Sequence, residues 1–341
     1  MSTQPPAELP KKVSLRVPAT TANLGPAYDT LGMAMSIFIE LTVELADTFS
    51  MTVTGEGCEH ISCNEDNMVV QTCRIAFEEY AKKPMPLLKF TMHNNIPYGC
   101  GCGSSSAAAA AGFVAGMTLS GLTMETQNSE ALLNVISRIE GHPDNAAPAI
   151  YGGIQLGYKR DDGSVMTYRV PTPPNLSLVL FVPHKLMKAS THVTRELIPQ
   201  TIPLSSAIHN ISGTAILTLA LSTGDLRLLK DAGDCLHEQQ RASKLYPHYN
   251  ACAKAAREAG AAYAFLSGAG PTVCALVAGR RGDLLAQPTG ERKAELVAEA
   301  MVQAGAEAGV AGRAIITIPS DLGAHLSGTT CVRPNIQYTS I

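Results

Sequence analysis

The chain has 341 residues, a length that fits two domains of roughly 100–200 residues each better than one core. Hydrophobic residues at 45% and charged residues at 16% give a globular composition with ample apolar surface to bury. A formal net charge of −3 argues against a broad basic footprint for nucleic acid or an anionic membrane, so an anionic ligand must be held by locally placed groups.

Residues 1–12 carry three prolines and no periodicity, and read as a flexible tail. Residues 13–17 read as a short strand, 33–45 as one or two strands, and 51–54 as another. Asn67 is placed to cap a helix running to about Lys82, and 88–92 returns as a strand. Gly99, Gly101 and Gly103 then alternate through a stretch good for neither helix nor strand. Ser104, Ser105 and Ser106 read as N-cap residues of a helix over 107–119. Another helix covers about 129–139, residues 141–145 read as a turn, and 153–158 as a strand. The polar, proline-bearing stretch 161–175 marks a boundary between a first domain over 13–165 and a second over 166–341. The second domain reads as a strand over 176–182 and helices near 191–198, 206–221, 226–243 and 247–259. Strands over 262–266 and 272–277 flank a tight turn at 267–271, and a helix over 292–304 and a strand over 314–319 follow. Lacking even βαβ alternation, the whole is expected to be α+β.

Nine cysteines, an odd count with no C-x-x-C pair, argue against a disulfide framework or a zinc site. Apolar runs fall short of the ~20 residues that span a bilayer, and no secretory signal is read. The expectation is a soluble, cytoplasmic protein with neither membrane nor nucleic-acid partners.

The alternating glycines carry the first chemical signal. A chain of this kind entering a helix exposes backbone N–H groups on one concave side, where they and the helix dipole hold phosphate oxygens without a charged side chain. A Walker loop ends in Gly-Lys-Ser/Thr, and the chain has no Gly-Lys pair. A Rossmann fingerprint needs a βαβ unit and a glycine where Ser106 stands. No Gly-x-Ser-x-Gly hydrolase elbow occurs. An inert turn fits the loop equally well, so the remaining motifs decide.

Residues 17–32, from Val17-Pro18-Ala19-Thr20-Thr21-Ala22-Asn23-Leu24-Gly25-Pro26 to Gly32, resemble the first signature of the kinase superfamily of galactokinase, homoserine kinase, mevalonate kinase and phosphomevalonate kinase. Residues 97–111 are similar to its second signature, the ATP loop, and 264–272 (Ala-Phe-Leu-Ser-Gly-Ala-Gly-Pro-Thr) to its third. In this order and spacing the three span nearly the whole chain. Asn-Leu-Gly-Pro-x-x-Asp at 23–29, Glu-Gly-His-Pro-Asp-Asn at 140–145 and Ser-Thr-x-x-x-Arg at 190–195 are closest to its homoserine kinase family.

The resemblance implies a two-domain α+β fold, with a ribosomal-protein-S5-like α/β domain followed by a ferredoxin-like α+β domain. It implies an ATP-dependent kinase acting on the L-homoserine hydroxyl, with Mg²⁺ and a homodimeric state. Carried onto this sequence, ATP would lie along Pro97, Tyr98, Gly99, Cys100, Gly101, Cys102, Gly103, Ser104, Ser105, Ser106 and Ala107, with Asn67 beside them. Glu140 and Ser105 would hold Mg²⁺, a hard cation that takes oxygen ligands. Asn23 and Asp29 would receive the substrate ammonium, and Thr191, Arg195, Arg241 and Gly268 would complete the site around its carboxylate. Asn145 and His142 would align the hydroxyl. Asn145 stands where several superfamily members place an aspartate base, and His142 and the carboxylate of Asp144 are the alternatives for handling the hydroxyl proton. Taken alone, Arg195 before Glu196 reads as a solvated residue and Asp29 near Gly-Pro as turn chemistry.

Several positions depart from the pattern. Ala27-Tyr28 replaces Gly-Phe, Cys100 a basic residue, Cys102 a leucine and Ser106 an alanine. The thiols flanking Gly101 raise the expectation that oxidation impairs nucleotide binding. A mevalonate-pathway or sugar kinase, or a catalytically silent binding protein on the same fold, is the alternative reading.

Overall fold

A computed structural model describes residues 9–122, 129–186, 191–233, 236–279 and 292–327. The first half contains β1 (Lys12–Ala22), β2 (Leu31–Leu45), β3 (Ser50–Gly55), α1 (Met68–Ile75), β4 (Leu88–Asn94), α2 (Ser104–Ser120), α3 (Ser129–Glu140), α4 (Pro143–Tyr151), β5 (Ile154–Lys159) and β6 (Val165–Val170). The second contains β7 (Leu176–Pro183), α5 (Thr191–Glu196), α6 (Leu204–Thr223), a 3₁₀ segment (Leu226–Asp231), α7 (Leu236–Leu245), α8 (Tyr249–Glu258), β8 (Tyr263–Leu266), β9 (Val273–Ala278), α9 (Lys293–Glu307), β10 (Gly312–Thr317) and β11 (His325–Leu326).

The first sheet runs β11-β1-β2-β4-β3, with β5 added beside β2 and β6 beside β5. Every pairing in it is antiparallel except β3 with β4. The second sheet runs β10-β7-β9-β8 and is wholly antiparallel. Counted from its own first strand, that order is 4-1-3-2, the ferredoxin-like arrangement. This is a two-domain α+β fold, as the resemblance implied.

Side-chain alternation on β7 separates two cores. Leu178, Leu180 and Val182 join the large cluster that also holds Leu24, Ala27 and Ala107, whereas Val179 and Phe181 face Val297 and Met301 of α9. One continuous core therefore runs beneath the first signature, the glycine loop and one face of the second sheet.

Several elements differ from the sequence reading. β1 extends to Ala22 and already includes Lys12, while residues 1–8 of the expected tail lie outside the described residues. Asn67 caps α1 by accepting from the Val69 N–H at 2.9 Å, but the helix widens into a π-helical turn at Ala76–Tyr80. The serines are not N-caps. Gly103, at φ 70°, is the N-cap, and Ser104 is already helical, so no side chain caps the α2 terminus. The turn at 141–145 shrinks to Gly141 and His142, because Pro143 starts α4 at a position where its missing N–H costs nothing. The stretch 161–175 contains β6, which pairs with β5, so the change of sheet falls at 171–175 rather than at 165/166. The chain crosses back once more, because β11 pairs with β1. The expected helix over 226–243 divides into the 3₁₀ segment and α7. Among the described residues one helix, α6, is long and apolar enough to cross a membrane by length and composition. Its inner residues Gly213, Leu217, Ala220 and Leu221 are buried, and Asn210 and Thr214 each donate to the Pro26 carbonyl at 3.1 Å.

Candidate active site

Beyond β1 the chain makes a tight loop in which Asn23 and Asp29 both adopt positive φ (56° and 53°). Asn23 holds the loop closed: its Oδ1 accepts the Asp29 N–H at 2.8 Å, and its Nδ2 donates to the Gly268 carbonyl at 3.0 Å. Asp29 is thereby aimed at α5, where Arg195 meets it bidentately through Nη1 (2.8 Å) and Nη2 (2.7 Å). The Tyr28 ring lies between two guanidiniums, with Arg195 at 5.5 Å and Arg241 at 5.4 Å from its centroid.

Arg241 on α7 is 1% exposed and, among the described residues, has no carboxylate partner. It donates from Nε to the Thr194 carbonyl (3.3 Å) and from Nη1 to the Gly268 carbonyl (3.3 Å) and His237 Nδ1 (3.2 Å). His237, one turn earlier, donates from Nε2 to the Gly25 carbonyl at 3.1 Å. Burial, helped by the Arg241 charge, pushes the His237 pKa down to about 3, so the ring is neutral and can accept from the guanidinium. A buried cation balanced only by dipoles is a costly arrangement that an incoming carboxylate would relieve.

The glycine loop closes the other end. Gly99, Gly101 and Gly103 all take positive φ (66°, 80° and 70°). The turn after β8 braces the loop: Ser267 Oγ donates to the Gly101 carbonyl at 2.8 Å, and the Thr272 N–H donates to the Cys100 carbonyl at 3.2 Å. The Thr20 N–H donates to the Cys102 carbonyl at 3.1 Å. These contacts turn the carbonyls outward onto the protein, and the first-turn amides of α2 have no side-chain acceptor. Ser105 Oγ donates to Glu140 Oε1 at 2.7 Å, and the buried Ser106 hydroxyl has no partner among the described residues.

The loop, the two arginines and the start of α4 line one cavity of about 560 Å³. Asn23, Asn67, Pro97 to Ser106, Glu140, His142, Asn145, Arg195, Arg241 and Gly268 all lie on its wall. Asp29 does not, but its carboxylate is bonded to Arg195 and lies within 4.8 Å of a ring nitrogen of His142, both of them wall residues. Ala107, also assigned to ATP from the sequence, is buried behind the wall. The Thr191 backbone starts α5, but its side chain lies outside the described residues. The cavity wall continues past the loop to a recess at Ile61, Ser62 and Met68, beside a His60–Tyr98 ring stack with centroids 6.1 Å apart.

At the opposite wall, Thr20 Oγ1 donates to Asn145 Oδ1 at 2.7 Å. His142 Nδ1 is hydrogen-bonded to Asp144 Oδ1. Burial lowers the His142 pKa, but the Asp144 carboxylate outweighs it, and the ring's pKa is raised. Asp144 is fully buried and absent from the cavity wall.

The redox expectation at Cys100 and Cys102 meets a physical objection. Both are buried, and desolvation pushes the Cys102 thiol up to about 12, which leaves little of the thiolate that reacts with oxidants. The exposed thiols are Cys58 and Cys63. Sequence reasoning also gave no role to Thr20, Tyr28 or His237. His237 precedes Arg241 by four residues on one helix, the spacing that puts both on one face, and that was the available signal.

Comparison with known proteins follows the same outline. The family model for the GHMP kinases N terminal domain matches residues 67–153, and that for GHMP kinases C terminal matches 217–308. The homoserine kinase of Moorella thermoacetica is 39% identical over 268 residues, covering 78% of this chain and 88% of that protein. The homoserine kinase of Desulfitobacterium hafniense is 36% identical over 313 residues, covering 92% of this chain and 99% of the relative. The crystal structure of homoserine kinase from Cytophaga hutchinsonii shares the fold at a TM-score of 0.77 and 24% identity, covering 96% of this chain and 99% of that one.

Proposed function

We propose a division of labour in this site from one premise: the chain belongs to the GHMP kinase family and, within it, to the homoserine kinases. The reaction is ATP-dependent transfer of the γ-phosphoryl group to the hydroxyl of L-homoserine, giving O-phospho-L-homoserine, a step of threonine biosynthesis. The observation that carries the substrate reading is the pair of Arg195 and Arg241 on the wall of a cavity that the glycine loop also lines, with Asp29 bonded to Arg195 just behind that wall. A zwitterion fits there. Its ammonium goes to Asp29 and its carboxylate to the two guanidiniums, so the Arg195–Asp29 pair opens to admit it.

Phosphoryl transfer is mainly a matter of positioning and charge neutralisation. The amides of the loop and of the first turn of α2 hold the polyphosphate, beside the buried Ser106 hydroxyl, which has no partner among the described residues. Asn67 and the recess at Ile61 and Met68 take the nucleoside end. Ser105 Oγ and Glu140 Oε1, a hydroxyl and a carboxylate 2.7 Å apart on the cavity wall, fit Mg²⁺ as its protein oxygens. That ion supplies neutralisation of phosphate charge. Asn23 keeps Asp29 in place, because one end of its amide holds the Asp29 N–H and the other is anchored on the Gly268 carbonyl of the turn after β8. Asn145 and His142 align the hydroxyl, and its proton leaves to a phosphate oxygen or solvent.

A mevalonate-pathway or sugar kinase would have no ammonium for Asp29 to receive. A silent binding protein would be expected to have lost Glu140 or the loop geometry, and both are intact. The chain is further proposed to act in the cytoplasm as a homodimer. A row of exposed apolar side chains on α6, Leu204 (76%), Ile208 (54%), Ile211 (69%) and Leu219 (53%), favours the dimer, and sedimentation giving a monomer at micromolar concentration would reject it. The reaction itself is tested by ADP release with homoserine, with mevalonate and without acceptor. Homoserine-dependent turnover is expected in the wild type and a loss of at least about 100-fold in kcat/KM for homoserine in Arg195→Ala. Equal rates with all three additions would refute it.

A further inference from the structure

Asp144 occupies an unusual position for a carboxylate. It is 0% exposed, sits in the first turn of α4, and accepts from His142 Nδ1 and from the Asn145 N–H (3.0 Å) through the same Oδ1. Its Oδ2 has no partner among the described residues. The positive end of α4 favours an anion there. Its backbone is fixed as well: a Cβ on Gly32 of β2 would lie 1.6 Å from the Asp144 carbonyl oxygen, so the two segments touch main chain to main chain.

The bonds made on either side of Asp144 decide what the cavity sees. With Nδ1–H given to Asp144, the free nitrogen of His142 is Nε2, an acceptor in the neutral ring, on a residue of the cavity wall. Asn145 Oδ1 is occupied by Thr20, so its free group is the Nδ2 donor. One acceptor and one donor, both held by Asp144, are the complement of a hydroxyl that donates one hydrogen bond, accepts one and keeps a lone pair for phosphorus.

We propose that Asp144 is a positioning residue that sets the His142 tautomer and the Asn145 backbone, and through them the orientation of the acceptor hydroxyl. This rests on the reading of the site as a hydroxyl-phosphorylating one. Asp144 touches no substrate itself. An asparagine there would keep the shape and offer an amide donor that competes for Nδ1, so the ring could present either tautomer.

The test is a double-mutant cycle of Asp144→Asn and His142→Gln, with kcat and KM for homoserine measured by ADP release and ADP affinity by calorimetry. Asp144→Asn is expected to lower kcat by about 10–100-fold, with homoserine KM and ADP affinity within about threefold of wild type. In the His142→Gln background the same substitution should cost at most about threefold more, because its route is already cut. If the two losses multiply, or if Asp144→Asn keeps full kcat, the proposal is overturned. Should Asp144→Asn not fold, Asp144→Glu replaces it in the cycle under the same criteria, since it retains the charge but displaces the ring. A wild type without homoserine-dependent turnover would overturn the reaction and this role together, whereas an active wild type with multiplying losses overturns the role alone.

Discussion

Replacing Gly101 by alanine offers a sharp test of the loop. A Cβ at this position would lie 2.3 Å from the Ser267 carbonyl oxygen and 2.8 Å from that of Gly270. Ordinary contact at 3.4 Å would require the loop and the turn to part by about 1.1 Å. The nearer carbonyl is held in place, because the Ser267 carbonyl accepts the Gly270 N–H and the Ser267 N–H is bonded to the Thr272 carbonyl, each at 2.9 Å. The φ of +80° adds about 1–2 kcal/mol for an L-residue, and overpacking against fixed backbone about 1–3 kcal/mol more. Summed, Gly101→Ala should lose about 2–5 kcal/mol of stability, a melting point lower by roughly 3–7 °C for a chain of 341 residues unfolding as one unit. A displacement of this size beside the phosphates should also reduce kcat/KM for ATP by about 100-fold. Gly163→Ala is the control, since Gly163 has φ +83° with nothing within 4 Å of where a Cβ would stand: only backbone strain is added, away from the cavity wall. Thermal melts and ADP release at varied ATP would compare the two. If Gly101→Ala matched Gly163→Ala within twofold in kcat/KM for ATP, the argument that the loop is braced by main-chain contact would be wrong.

Two further outcomes follow from protonation states. His237 has a folded pKa of about 3 against an ordinary 6.5, so between those values the unfolded chain binds a proton that the native ring refuses. Stability should therefore fall as the pH drops below 6.5, by up to about 1.4 kcal/mol per pH unit from this residue, and urea unfolding of His237→Gln should show a shallower fall. Parallel curves for the two proteins would contradict the assignment. In iodoacetamide labelling of the native protein at neutral pH, Cys58 and Cys63 should react while Cys102 stays unlabelled until the chain is unfolded. Peptide mass spectrometry showing early modification of Cys102 would revive the redox expectation at the loop.

The parts of this site written in local sequence were legible and the parts made by distant contacts were not. Alternating glycines announced a loop at positive φ because few other residues adopt that geometry. Asn67 announced a cap and was one. The start of α4 was missed because Gly-His-Pro-Asp-Asn carries turn chemistry and helix-start chemistry at once, and only packing against β2 decides between them. The serines looked like caps, yet a left-handed Gly103 took that position and left the amides free. No local pattern brings Tyr28 between Arg195 and Arg241, since those residues meet only when both sheets are in place. Roles within the site came from the family resemblance, which named Asn145 and His142 and offered Asp144 only as an alternative base, not as the group that orders them.

The segment after β10 returns to the first sheet and is stitched there by the Gly153 N–H to the Ser320 carbonyl (2.7 Å), the Ser320 N–H to the Ala34 carbonyl (2.9 Å) and the Ala324 N–H to the Ala149 carbonyl (2.8 Å). The two lobes are thus joined by two strands of chain instead of one, as a door is by a pair of pins. Such a connection restrains twisting and leaves rotation about the line through both crossings as the easy motion. It also means that neither lobe is a separable module. A fragment ending at 175 would lose the strap over β2 and α4 and bare the edge of β1, an open template for self-association.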